Sequence, residues 1–188
     1  MRAELGQAYL QTGEPQKALT ELKKAMELAP QPYMFNAVAS ELAEADQQLP
    51  LALEYSKRAV TDEGVASGKV SLSQLKSEDL GITAALPAFW GTLGWIYFEM
   101  GELDEADKYL NAAWIVGQDA TVAEHLAELY ERQDKKPSAI HMYLLALDRV
   151  KAQPWSRVDV DKTTARLEHL STGASKPGVR KGGYSQRD

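Results

Sequence analysis

The stretch Phe89–Trp114, FWGTLGWIYFEMGELDEADKYLNAAW, limits the possible folds more than any other part of the chain. Trp90, Leu93, Gly94 and Tyr97 stand at i, i+3, i+4 and i+7, so a single helical face carries all four. Gly101 stands where a residue of positive φ is wanted to end that helix, and Glu102, Leu103 and Asp104 open a second helix with acids at its positive end. In the second helix Ala106, Leu110, Ala113 and Trp114 again share a face. Gly94 and Ala106, twelve residues apart, let the two helix axes approach while Trp90, Tyr97, Leu110 and Trp114 fill in around them. A large side chain at either small position would overpack the contact, at a cost of about 1–3 kcal/mol.

This pattern resembles the tetratricopeptide repeat, a helical hairpin of about 34 residues with a large residue, Leu-Gly, Tyr, Gly, Ala, an apolar residue and Ala at set offsets. Trp90, Leu93, Gly94, Tyr97, Gly101, Ala106, Leu110 and Ala113 all fall on that signature. Three other segments repeat it less cleanly. Leu5, Gly6, Tyr9, Gly13, Ala18, Leu22, Ala25 and Pro30 take the same offsets near the start, where the chain reads as beginning inside a repeat. That reading leaves two forms open, an excised piece of a longer array or an incomplete first helix. In the second copy Ala52 and Ala59 match, and Ala39 becomes the partner of Ala52 if the turn at Asp46–Leu49 holds one extra residue, with Pro50 starting the next helix. The fourth copy has Leu126, Ala127, Tyr130, Ala139, Tyr143 and Ala146, with Asp134 replacing the turn glycine and Ala123 replacing the large residue.

The resemblance implies an all-α fold, a right-handed superhelix of about four repeats at residues 1–30, 33–61, 88–118 and 121–150. Residues 62–86 are then additional. Lys57–Ala66 lengthens the preceding helix, a break follows at Gly68, Ser71 and Ser73, and Ser77-Glu78-Asp79 caps a separate short helix with Ile82 and Leu86 on its apolar side. At the other end residues 159–171 form a capping helix, closing an array that spans 1–172. Val160, Leu167 and Leu170 face inward there, the charges face out, and Trp155 tucks beneath. Residues 173–188, rich in Gly, Ser and cations, make a flexible basic tail.

Composition enters by exclusion. With no cysteine the chain has no disulfide, thiolate metal site or cysteine nucleophile. Net charge is −6, and with the tail from Thr172 at +3 the body carries −9, which disfavours nucleic acid as a partner. No apolar run reaches the roughly 18 residues of a membrane span. The first ten residues lack the apolar core of a secretory signal. His125 and Glu128, at i and i+3, could begin a metal site, but no third ligand accompanies them and such pairs are common on solvated helices. HExxH, G-x-S-x-G and phosphate-cradling glycine loops are absent from the sequence. The expectation is a chain without catalytic residues, cofactor or metal.

Stacked repeats offer an inner surface lined by the first helix of each pair. The family's inner positions map onto Ala3, Gln7, Leu10 and Gln11, then Asn36, Ser40, Ala43 and Glu44, then Gly91, Trp95, Phe98 and Glu99, then Glu124, Glu128, Glu131 and Arg132. The expected binding residues are Gln7, Asn36, Trp95, Phe98, Glu124, Glu128 and Glu131. Trp95 and Phe98 form an aromatic anchor and the three glutamates an acidic clamp, suited to a protein or peptide with apolar and basic residues. The competing account has both aromatics packed on a neighbouring element and the acids merely solvated. Gly6, Ala18, Ala39, Ala52, Trp90, Gly94, Tyr97, Ala106, Ala127 and Ala139 are assigned to packing within and between repeats. The Lys/Asn/Arg clamp of chaperone-tail binders is missing, since Ala3, Gln7, Ser40, Gly91 and Trp95 stand at its positions.

Residues 33–150 also resemble the C-terminal repeat region of larger bacterial tetratricopeptide proteins. That implies a soluble, bacterial protein, of the cytoplasm or the periplasm. The expected function is a non-catalytic protein- or peptide-binding scaffold. Two alternatives stay open: a structural or dimerisation segment of a larger protein, homodimeric and without a free groove, and the accessory module of an enzyme whose catalytic domain lies elsewhere.

Overall fold

The computed structural model describes residues 2–44, 48–70, 77–153 and 156–172. Its helices are α1 (Arg2–Gln11), α2 (Pro15–Leu28), α3 (Pro32–Glu44), α4 (Leu49–Ser67), α5 (Ser77–Glu99), α6 (Leu103–Gly117), α7 (Ala120–Arg132), α8 (Lys136–Val150) and α9 (Val160–Thr172), with no strand among the described residues. They pair as antiparallel hairpins α1–α2, α3–α4, α5–α6 and α7–α8. Each hairpin packs its second helix on the first helix of the next, and α9 packs on α8. The first helices also meet one another, α3 against α5 and α5 against α7. Those three helices therefore form one inner layer.

Small residues allow this spacing. Gly6, Ala18, Ala39, Ala52, Gly94, Ala106, Ala127 and Ala139 are all buried. The closest approach differs in one detail from the expected Gly94–Ala106 contact. A Cβ on Gly94 would stand 2.8 Å from Leu110 Cγ and 2.9 Å from its backbone nitrogen, and one on Gly6 would stand 2.7 Å from Leu22 Cγ. In both hairpins the glycine makes room for the leucine sixteen residues on, one helical turn beyond the alanine.

The hairpin turns share a device. Gly13 (φ 74°), Gly101 (φ 83°) and Asp134 (φ 59°) all lie seven residues after the small position and all adopt left-handed geometry. In the second hairpin the equivalent residue, Asp46, lies outside the described residues; Gln48, just before α4, is left-handed at φ 50°. Pro50 then occupies the first turn of α4.

The added segment departs from expectation. α4 does run on to Ser67, but the separate short helix ahead of Phe89 does not exist as such: Ser77 onward is continuous with the third repeat, giving α5 23 residues with Pro87 inside it. Proline removes one helical hydrogen bond and crowds the preceding turn. Here Pro87 is buried against the end of α6, where a Cβ on Gly117 would come within 2.9 Å of Pro87 Cβ. That packing accommodates the ring without ending the helix. The expected break at Ser71 and Ser73, the side chain of Ile82, Trp155 and the basic tail lie outside the described residues.

The largest group of core side chains, including Leu110, Leu126, Leu129 and Tyr143, lies among α5–α8. A second, with Leu22, Val38, Leu42 and Ile96, joins α2–α4 to α5. Trp95 packs against both. No helix among the described residues is long and apolar enough to cross a membrane.

Candidate functional site

A cavity of about 750 Å³, open to solvent on one side, lies between α3, α5 and α7, with the end of α6 at its edge. Asn36 and Ser40 line it from α3, Ala88 and Trp95 from α5, and Val122 and His125 from α7. Its position follows from the packing. A Cβ on Gly91 would meet Val122 Cγ2 at 2.9 Å, so α5 and α7 touch there and the space opens toward α3. Ser156 and Arg157, between α8 and α9, form a further wall.

Trp95 is the centre of this site. Its indole stacks on Phe98 (ring centroids 4.8 Å apart) and on His125 (4.0 Å apart), tying α5 to α7. Phe98 corrects the sequence expectation. Only 7% exposed, it is a core residue, with the Arg132 guanidinium 4.6 Å over its ring and Arg132 Nη1 donating to its carbonyl at 2.9 Å. It supports Trp95 and offers no anchor of its own. Burial lowers the His125 pKa to about 3, with Lys162 and Arg157 adding to the effect, so the imidazole is neutral at ordinary pH.

Three residues around this cavity hold buried polar atoms without a hydrogen-bond partner: Asn36 Oδ1, Trp95 Nε1 and His125 Nδ1. Buried polar atoms are rarely left so, and each costs roughly 1–3 kcal/mol.

The acidic clamp is already engaged. Glu124 is buried and accepts from Thr163 Oγ1 at 2.5 Å; desolvation raises its pKa, with that hydrogen bond opposing. Glu128 Oε1 lies 2.6 Å from Arg166 Nη1 and 3.7 Å from Lys162 Nζ. Glu131 Oε1 accepts from Tyr143 Oη at 2.6 Å, and that hydroxyl accepts from Arg166 Nη1 at 3.0 Å. The capping helix is accordingly reversed in part from the expected arrangement. Lys162 and Arg166 face inward onto α7, while Val160, expected inside, is 45% exposed. The acids of α7 attract the cations of α9, and Leu167 and Leu170 pack at the edge of the core beside them.

Of the remaining expected residues, Asn36 lines the cavity, and the side chain of Gln7 lies outside those described. Two participants were not expected. His125 entered only as half of a metal pair, and among the described residues no group of three possible ligands gathers to complete one. Glu41 lies one residue beyond the inner position Ser40; its Oε1 lacks a well-angled hydrogen bond but is ion-paired with Arg157 Nη2 at 2.7 Å. The basic spacing Arg157, Lys162, Arg166, set against the glutamates of α7, was the available signal for α9.

Comparison with known proteins agrees with this architecture. Two tetratricopeptide repeat family models match, one over residues 3–32 and the other over residues 87–113. A curated relative, Protein FLUORESCENT IN BLUE LIGHT, chloroplastic, of Arabidopsis thaliana, is 30% identical over 106 residues, which cover 55% of this chain and 30% of that protein. Among solved structures, a thermophilic TPR protein of Thermus thermophilus superposes with a TM-score of 0.52 at 20% identity, covering 91% of this chain and 97% of its own. PilF of Pseudomonas aeruginosa matches at 18% identity with a TM-score of 0.35, covering 92% and 91% of the two chains.

Proposed function

We propose that this tetratricopeptide-repeat chain is a non-catalytic protein-binding scaffold that receives a segment of a partner protein in the cavity between α3, α5 and α7. The observation that carries this reading is the placement of Trp95 with apolar Ala88 and Val122 beside polar Asn36 and Ser40 around one space of about 750 Å³. An apolar side chain of the partner would fill the space beside Trp95. The amide groups flanking it would meet the polar lining residues Asn36 and Ser40. Burying a hydrophobic anchor within a ring of satisfied polar contacts is the arrangement that concentrates binding energy. Repeats elsewhere present such surfaces on the inner helices of the stack.

The test uses the full chain and a displayed library of short peptides. Peptides selected on it are expected to bind the unmodified chain and to lose binding to Ala88→Trp, which fills the cavity from an exposed helical position. Equal binding to both forms, with both folded by circular dichroism, would overturn the assignment.

A further inference from the structure

The C-terminal segment crosses the inner layer. The turn after α8 is pinned to the start of α7, with Gln153 Oε1 accepting from Ala120 N at 2.8 Å and Gln153 Nε2 donating to Gln118 O at 3.4 Å. From there Arg157 N donates to Thr121 Oγ1 on α7 at 3.3 Å, while the Arg157 guanidinium reaches Glu41 on α3. One residue thus bridges the first helices of the second and fourth hairpins, past α5, which packs on both. Asp159 then caps α9 by accepting from Lys162 N at 3.0 Å, and α9 lays Lys162, Thr163 and Arg166 onto Glu124 and Glu128.

The contact is unequal in depth. The carboxylates are deep, with side-chain exposures of 6% for Glu41 and 13% for Glu128. The cations above them are shallow, at 44%, 55% and 36% for Arg157, Lys162 and Arg166. Among the residues of α9 only Thr163 is buried. A buried acidic surface needs a cationic cover, because uncompensated buried charge is strongly unfavourable. In each pair the carboxylate is deep and the cation open to solvent, so the cation can leave into water while the acid cannot, and a helix with one fully buried side chain belongs to the less stable part of a fold. The cover is therefore required in chemistry but loosely held in energy.

We infer that the Glu41–Glu124–Glu128 face is a binding site for a basic amphipathic helix of a partner protein, and that residues 156–172 occupy it in cis until exchanged. This rests on the reading of the inner layer as the binding surface and concerns the acidic side of that layer, which meets the cavity at Ser156 and Arg157. The segment itself specifies the partner's chemistry. Two cations stand four residues apart, as at Lys162 and Arg166, with a hydroxyl as at Thr163, flanking leucines as at Leu167 and Leu170, and a further cation upstream as at Arg157.

A fluorescent peptide of residues 156–172, titrated against the full chain and followed by anisotropy, tests the inference. The unmodified chain is expected to take it up poorly. The full chain carrying Arg157→Glu and Arg166→Glu, whose own helix is repelled, is expected to bind at least about tenfold more tightly, and adding Glu128→Arg is expected to remove that gain. A shorter peptide of residues 160–172, which lacks the cavity-lining Ser156 and Arg157, should show its gain with or without Ala88→Trp, which separates failure here from failure of the cavity reading. No gain in the folded charge-reversed chain, or a gain that survives Glu128→Arg, would overturn the inference. Hydrogen exchange on the unmodified chain supplies a second measurement independent of any variant. Raising salt from about 0.05 M to about 0.5 M shortens the screening length and is expected to speed exchange in residues 160–172 selectively. Exchange there as slow as in α7, and unmoved by salt, would overturn it as well.

Discussion

Asn36 on α3 and Glu124 on α7 stand at equivalent inner positions, three residues before the small residues Ala39 and Ala127, and their surroundings diverge. Asn36 faces the cavity with a buried carbonyl that has no partner, while the Glu124 carboxyl is hydrogen-bonded by Thr163 of α9. The next inner position repeats the contrast. Trp95, one residue after Gly94, lines the cavity and has a buried indole nitrogen without a partner, whereas Glu128, one residue after Ala127, is ion-paired to Arg166 and Lys162. Repeat geometry is the same on the two sides. What differs is the cost of the group buried there: a carboxylate without a counter-charge is far less tolerable than an amide without a partner, so Glu124 and Glu128 are covered while the space beside Asn36 and Trp95 is left open.

The contrast can be broken most strongly at the residue that joins its halves. Trp95→Ala removes the ring between Phe98 and His125 and is expected to destabilise the chain by about 3 kcal/mol in urea denaturation. A loss below about 1 kcal/mol would mean that the stack does not couple α5 to α7.

A smaller effect is expected from pH. The folded-state pKa of His125 is depressed to about 3 from 6.5, so the unfolded chain binds its proton first. Stability conferred by the neutral ring is present above pH 6.5 and is lost as pH falls toward 3. Between pH 6.5 and 5 this amounts to as much as about 2 kcal/mol. Glu124 and Glu44, both raised chiefly by desolvation, act in the opposite sense, since their folded forms take up protons first as pH falls. Comparison with His125→Phe, which keeps a ring beside Trp95, isolates the histidine: the variant should lose less stability on acidification than the unmodified chain. Equal acid sensitivity would place His125 in a solvated setting.

The smallest change sharpens the comparison instead of breaking it. Asn36→Leu deletes the unpaired carbonyl, so stability is expected to stay within about 1 kcal/mol or to rise, while binding of peptides selected on the cavity falls. A marked loss of stability would show that Asn36 is already satisfied in the free chain.

Much of the fold was legible because repeat packing is local and periodic. The small residues, the left-handed turns at Gly13, Gly101 and Asp134, and the lengthened α4 all depend on neighbours within one hairpin. The continuity of α5 was not legible, since residues 77–86 read as a separate short helix and only Gly117 of α6 supplies the surface against which the ring of Pro87 packs inside one helix. At the site, Trp95 and the glutamates stood out by residue type at inner positions. That Phe98 is core, that His125 stacks on Trp95, and that the glutamates are already paired all depend on contacts between hairpins or with α9.

By itself the sequence determined that this chain forms helical hairpins that stack, because hydrophobic period, small-residue spacing and turn residues act over one or two helices. Only the tertiary structure decided which inner side chains remain available. Availability is settled by whatever lies across the inner layer, and here that is a segment more than thirty residues distant in sequence whose cations meet buried acids on α3 and α7. Pairing at such separation leaves no periodic trace in the chain. It follows from charge and burial in three dimensions.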